Sequence, residues 1–223
     1  MEIPVPSLES IKAVWTWTTS QVETWFKVMR DPVAILSDVD LTSTASIIKA
    51  LQFAAFPILL LAALDIPVSV TVEKIRTSIG VVGYFVYDVF ASVLLIGIVV
   101  GAQRAAAVLV RGKGSLEACV ISTLYGTAFW PIAALPGFTV INYRDFVGKD
   151  LDTPAAIFAF VAVGITLFLV FVLFLSKYVP MARHVHKVGR LRGVVIVLLV
   201  MAISGALMNM TLGSFQDWIL SSN

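Results

Sequence analysis

A single carboxylate stands inside a long apolar run. Asp88 lies in GYFVYDVFASVLLIGIVVG, with Tyr84 and Tyr87 on its N-terminal side. If the run is immersed in hydrocarbon, an acid there costs about 2.5–3.5 kcal/mol on insertion scales, so something must offset it. Two hydroxyls fall at similar depth in later apolar runs, Tyr125 and Thr166. Asp88, turned to a bundle interior, is expected to hydrogen-bond with Tyr125, with Thr166 or with a neighbouring subunit. Such a cluster could pass protons or hold a small solute. A protonated Asp88 with a purely structural role satisfies the same sequence.

Other residue types that do chemistry are sparse. His184 and His186 are spaced i, i+2 in SKYVPMARHVHKVGRLRG, without a third ligand nearby. That pattern fits a cationic loop better than a metal site. Cys119 is the one cysteine, so no internal disulfide is available, and an apolar neighbourhood suits a small core residue. RGKGS does not follow the phosphate-loop order, because Gly114 comes after Lys113. Neither H-E-x-x-H nor G-x-S-x-G occurs. The expectation is a non-enzymatic protein with no catalytic residue, cofactor or metal.

The elements that carry these residues follow from solvation. Of 223 residues, 59% are hydrophobic and 13% charged, and the mean hydropathy is +0.94. A soluble domain carries about 25% charged residues. With half that, the chain needs lipid around much of its surface. Five runs are long enough to cross a bilayer: 47–64, 79–102, 118–140, 155–175 and 194–208. Each must be a helix, since backbone groups in hydrocarbon have to be satisfied within the segment. The predicted fold is therefore all-α, a bundle of five transmembrane helices at 46–223 behind a cytoplasmic amphipathic segment at 1–45.

Cations give an orientation. Setting Lys49 aside as a snorkelling side chain, eleven Lys and Arg fall on the N-terminal segment and the second-to-third and fourth-to-fifth loops; four fall on the other side. The rule that basic loops stay inside puts the N-terminus in the cytoplasm and the C-terminus outside, as for a bacterial inner-membrane protein. Lys177, Arg183, Lys187, Arg190 and Arg192 are expected to meet anionic headgroups, at about 1 kcal/mol each. A net charge of +2 offers no basis for nucleic-acid binding. No apolar stretch of signal-peptide type opens the chain.

Three further patterns concern packing. Leu8, Ile11, Trp15, Thr18, Val22, Trp25, Phe26 and Met29 recur three and four apart, an amphipathic helix that would lie in the headgroup plane or against the bundle. Gly97 and Gly101 in GIVVG form a small-xxx-small face for helix packing, within the chain or between subunits. Pro131 and Pro136 interrupt the third run, where each removes a helical N–H and frees a carbonyl that neighbours must satisfy.

Three stretches resemble the Yip family of membrane domains, named for Ypt/Rab-interacting proteins. FKVMRDPVAILSDVDLTSTASIIKALQFAAFPILL resembles that family's Pro-containing entry into a first span with Leu-x-Phe. RGKGSLEACVISTLYGTAFWPIAALPG resembles its glycine-rich basic stretch before a Tyr- and Pro-containing span. RHVHKVGRLRGVVIVLL resembles its basic loop before the last helix. Eukaryotic members carry Gly-Tyr-x-x-x-Pro in the third span. Here Leu124 precedes Tyr125 and Pro131 follows six residues later, which with the short polar N-terminus looks more like prokaryotic relatives. The resemblance implies five spans, a cytoplasmic N-terminus, a membrane-organising or trafficking-like role, and self-association or partner membrane proteins. The alternative from the residues alone is a small transporter, channel or permease subunit around Asp88.

Overall fold

The computed structural model describes residues 7–65, 70–134 and 154–221. Helices account for nearly all of them, and no strand occurs among the described residues. They are α1 (Leu8–Arg30), α2 (Pro32–Ser37), α3 (Thr44–Asp65), α4 (Val70–Leu109), α5 (Leu116–Gly126), α6 (Pro154–His186) and α7 (Arg190–Ser221). Five segments are long and apolar enough to cross a membrane: Thr44–Leu64, Gly80–Leu109, Leu116–Ala134, Val161–His186 and Arg190–Thr211. The chain thus has the build of a multi-pass integral membrane protein. The last crossing, which looks short over 194–208, is completed at both ends by its neighbours.

Local chemistry sets the helix starts. Ser7 caps α1 by accepting the Ser10 N–H, and Lys27 and Arg30 in the last turn complement the negative end of the helix dipole. Asp31 ends α1 and caps α2, its Oδ1 accepting the N–H groups of Val33 and Ala34 at 3.1 Å each. Pro32 sits at the first position of α2, where its missing N–H costs nothing. Ahead of α3, Asp40 accepts the Thr42 N–H at 2.9 Å and the Thr42 hydroxyl at 2.7 Å.

The two halves of α1 differ. Val14 and Trp15 near its start are 63% and 74% exposed, whereas Val28 is fully buried and Trp25 and Met29 pack on the core. The amphipathic helix therefore joins the bundle through its C-terminal half, where it meets α3 and the end of α5. Of the two readings, packing against the bundle holds for that half, where Trp25 and Val28 find protein neighbours.

α5 is the central helix. Of its span, 67% is buried, against 6% for that of α6. Its small and hydroxyl side chains (Ala118, Ser122, Thr123, Gly126, Thr127) favour protein neighbours, while the α6 wall of Ile165, Phe168, Leu169 and Val172 is exposed and suits lipid. One core joins α1, α2, α3, α5 and α6 around Phe53, Leu36, Ile121 and Leu124; a second joins α4, α6 and α7 around Ala106, Ala107, Ala182 and Ile196.

α5 does not run on as an α-helix. It tightens into a three-ten turn at Thr127–Phe129, and helix resumes over 130–134. The Trp130 N–H bonds to the Thr127 carbonyl instead of that of Gly126, and buried Pro131 has no N–H to give. Two carbonyls in this stretch are met by side chains from elsewhere. The Tyr178 hydroxyl of α6 donates to Gly126 O at 2.5 Å, and the Trp25 indole of α1 donates to Ala128 O at 2.7 Å. Pro136, Arg144 and Lys149 lie outside the described residues.

The glycine faces fall elsewhere than the sequence suggests. Gly97 and Gly101 are exposed, with open space where a Cβ would stand. They do not serve packing among the described residues, because α4 turns Ala102, Ala106 and Ala107 inward instead. Close approach is made at Gly126, against Tyr178, and at Gly193, where a Cβ would meet Arg183 Cγ at 2.6 Å and Val179 O at 3.3 Å. Gly80 has φ 74° and breaks α4 at the start of its membrane span.

Tyr178→Phe should keep the ring, which stacks on Phe174 at 3.9 Å, and leave Gly126 O bare. The expected loss is about 1–3 kcal/mol of stability, read as a lower unfolding midpoint in lipid discs; an unchanged midpoint would show that water already serves that carbonyl. Asp40 gives a pH effect. Its two hydrogen bonds from Thr42 hold the carboxyl below the usual range, so its contribution is present above the unfolded pKa and disappears as pH falls through the lower folded value. The midpoint difference between wild type and Asp40→Ala should accordingly be present at neutral pH and close as the pH drops below about 4.

Candidate functional site

Of the residues expected around Asp88, Tyr84 and Tyr87 lie beside it on α4, and Thr166 stands apart. Thr166 is exposed on the outer wall of α6 and spends its hydroxyl on Ala162 O at 2.8 Å. Tyr125 belongs to the main core, its ring 5.2 Å from that of Phe53. Asp88 is half-buried on α4, one turn beyond buried Tyr84, whose ring lies 6.2 Å from that of Tyr87. It is also less central than its run suggests. Eight residues separate it from Gly80 and 21 from Leu109, because the helix continues past Ala102.

Buried polar side chains collect instead at the basic end, where α4 finishes, α5 begins and α6 turns into α7. Gln103 is the hub. Its Nε2 donates to Ser122 Oγ at 3.1 Å and lies 3.2 Å from His186 Nε2. Its Oε1 accepts the Thr123 hydroxyl at 3.0 Å, and Ser122 donates to Cys119 O at 3.1 Å. With the Gln103 amide donating, the His186 ring accepts at Nε2 and carries its proton on Nδ1. His186 is fully buried, and Nδ1 has no hydrogen-bond partner among the described residues.

Sequence reasoning placed His186 in a cationic loop and passed over Gln103, Ser122 and Thr123. A glutamine inside an apolar run was the available signal, since a buried amide needs partners for several donors and acceptors. The i, i+2 histidines diverge: His186 turns inward and His184 stays half-buried, and no cluster of three metal-ligating side chains occurs among the described residues.

The basic loops close over this hub. The Lys113 N–H donates to His186 O at 2.9 Å and the Gly112 N–H to Ala107 O at 2.7 Å, while the Arg104 guanidinium donates to Gly114 O. Gly114 is required by contact. A Cβ there would stand 2.4 Å from His186 Nδ1 and 2.9 Å from Val185 O; at Gly112 it would meet His186 Cβ at 3.0 Å. The glycines of RGKGS thus let the loop lie flat on the histidine that ends α6. Arg111 and Lys187 adopt left-handed backbone, φ 60° and 52°, as the helices end.

The cations divide by task. Arg183, Lys187, Arg190 and Arg192 are exposed on this end. Lys177 instead reaches across to α1 and donates to Arg30 O at 2.8 Å, so part of its charge is spent on a helix C-terminus. Chemically, the site is a neutral, hydrogen-bonded polar core under a basic rim. It holds two loops and three helices together and shows no nucleophile paired with a base.

Gly114→Ala should be destabilising by about 1–3 kcal/mol, the usual cost of overpacking. His186→Ala removes the ring atoms in the way, so adding it should return part of the loss; Val185 O, a backbone atom, keeps the rescue incomplete. A double-mutant cycle on unfolding in lipid discs measures the coupling, and strict additivity would mean the loop does not rest on the histidine. Comparison of the chain with protein-family models, curated proteins and solved structures finds no match.

Proposed function

We propose that this chain is a non-enzymatic membrane-organising protein of the Yip type, with its basic end in the cytoplasm, that works by associating with further copies of itself or with partner membrane proteins. One observation carries the reading. The three stretches that resemble the family, far apart in sequence, meet in one assembly. The first contributes Phe53 to Tyr125 of the second and Arg30 O to Lys177 of α6. The second contributes the Lys113 N–H to His186 O of the third. Stretches that resemble one family and also pack on one another fit a single cooperative unit better than chance likeness in apolar helices.

Self-association is supported by the wall that α4 leaves open. Gly97 and Gly101 stand exposed between Val93 at 57% and Val108 at 57% exposure. That is a close-approach face with no partner in the described chain. The exposed rim of Arg183, Lys187, Arg190 and Arg192 suits anionic headgroups. The transport reading draws less support, because Thr166 faces outward and Tyr125 is packed on Phe53.

Mass measurement in native lipid discs should find oligomers, and Gly97→Leu with Gly101→Leu should shift them toward monomer. A strict monomer in wild type overturns self-association. In liposomes neither wild type nor Asp88→Asn should carry pH- or voltage-driven flux; flux that Asp88→Asn abolishes would replace this reading with transport.

A further inference from the structure

Beside the polar hub, the bundle holds a cavity of about 250 Å³ between α4, α5, α6 and α7. A hole of about 150 Å³ already admits benzene, so this one takes a larger guest. On α4 its wall runs from Leu95 through Val99 to Gln103, eight residues or about 12 Å of helix. On α7 it runs from Val197 through Met201 to Ser204. The space is therefore elongated along the bundle. Its lining contains no Asp, Glu, Lys, Arg or His, which favours a neutral guest and disfavours an ion or a charged solute.

Ser204 says where that guest carries an oxygen. On α6 and α7 the other serine and threonine hydroxyls with described bonds go back to their own backbone: Thr166 to Ala162 O, Ser176 to Leu173 O and Thr211 to Leu207 O. Ser204 does not. It is 7% exposed, lines the cavity, and its hydroxyl is buried with no hydrogen-bond partner among the described residues. A buried hydroxyl left alone costs about 1–3 kcal/mol. At the other end, Gln103, Ser122 and Thr123 satisfy one another, so they ask nothing of a guest.

The mouth says where the guest comes from. Met201 lines the cavity and is also 37% exposed, next to Leu198 at 44% on the apolar outer face of α7. The lining thus reaches the outer face of α7, a wall that suits lipid. We infer that it receives one hydrocarbon chain of a membrane lipid, with a neutral ester, ether or hydroxyl oxygen of that lipid on Ser204 and the chain running toward Gln103. This goes beyond a scaffold role and does not depend on it.

The test uses the full chain in lipid discs doped with a phosphatidylcholine bearing a diazirine in one acyl chain. Light should label Val99, Val197 and Met201 in the cavity as well as Phe168 and Leu169 on the open wall of α6. Ala182→Phe and Val200→Phe each fill the space. Each should lower cavity labelling about fivefold or more and leave the Phe168 and Leu169 labelling within about twofold, which also reports that the bundle is intact. Ser204→Ala should lower cavity labelling and Ser204→Thr retain it. The inference is overturned if the wild-type cavity labels no more than the outer wall, if neither filled variant changes it, or if Ser204→Ala leaves it unchanged. Cavity labelling that appears only with a free long-chain alcohol added from water, and not with the phospholipid, overturns the membrane as source.

Discussion

A peptide carbonyl in a water-poor environment must find a donor, and the third span supplies carbonyls that its own helix does not fully serve. The three-ten turn at Thr127–Phe129 and the missing N–H of Pro131 interrupt the α-helical ladder. Tyr178 reaches in from α6 and Trp25 from α1 to meet Gly126 O and Ala128 O. Each bond is strong because competing water is scarce and the alternative is an unmet acceptor. They tie the first helix, the central helix and the fourth crossing into one body. Trp25, part of the amphipathic pattern in the sequence, is a structural donor here.

The same economy of donors explains the basic end. A helix that ends near the membrane exposes its last carbonyls. Here the loop after α4 serves the end of α6, the Lys113 N–H bonding to His186 O, while Arg104 of α4 holds that loop at Gly114 O. That arrangement requires the loop backbone to touch the His186 side chain, which Gly112 and Gly114 permit. The polar hub beneath is closed on itself except at His186 Nδ1. It is suited to holding geometry, since a hydrogen-bonded neutral network carries no charge to be neutralised and offers few atoms to a substrate. The exposed arginines and lysine around it remain available to headgroups or to another protein.

Burial is shared unequally among the crossings, and the inequality follows side-chain chemistry. α5, with the densest run of hydroxyl and small residues, takes the centre; α6, with a continuous aliphatic and aromatic wall, takes the outside. Where a hydroxyl must face out, as at Thr166, it folds back on its own helix. Gly97 and Gly101, left outside, form a surface on which a second helix could approach closely, and Met201, shared by the cavity lining and the outer face of α7, adds a second feature of the outer wall. Both lie on the part of the molecule that a bilayer would cover.

What the sequence determined by itself was the class of structure. Five apolar runs with few charges, and the lopsided placement of Lys and Arg, follow from solvation, which is local and additive along the chain. The break at Pro131 was legible for the same reason, since proline acts on its own helix. The partners were not. Which helix lies at the centre, that Thr166 faces out, that Gly97 and Gly101 pack on nothing within the described chain, and that Gln103 and His186 rather than Asp88 anchor the polar core all depend on helix rotation. Within a run that is apolar on every side, periodicity carries no phase, so the sequence cannot say which face turns inward. The tertiary structure decides it, by bringing donors and acceptors from distant helices within hydrogen-bond reach.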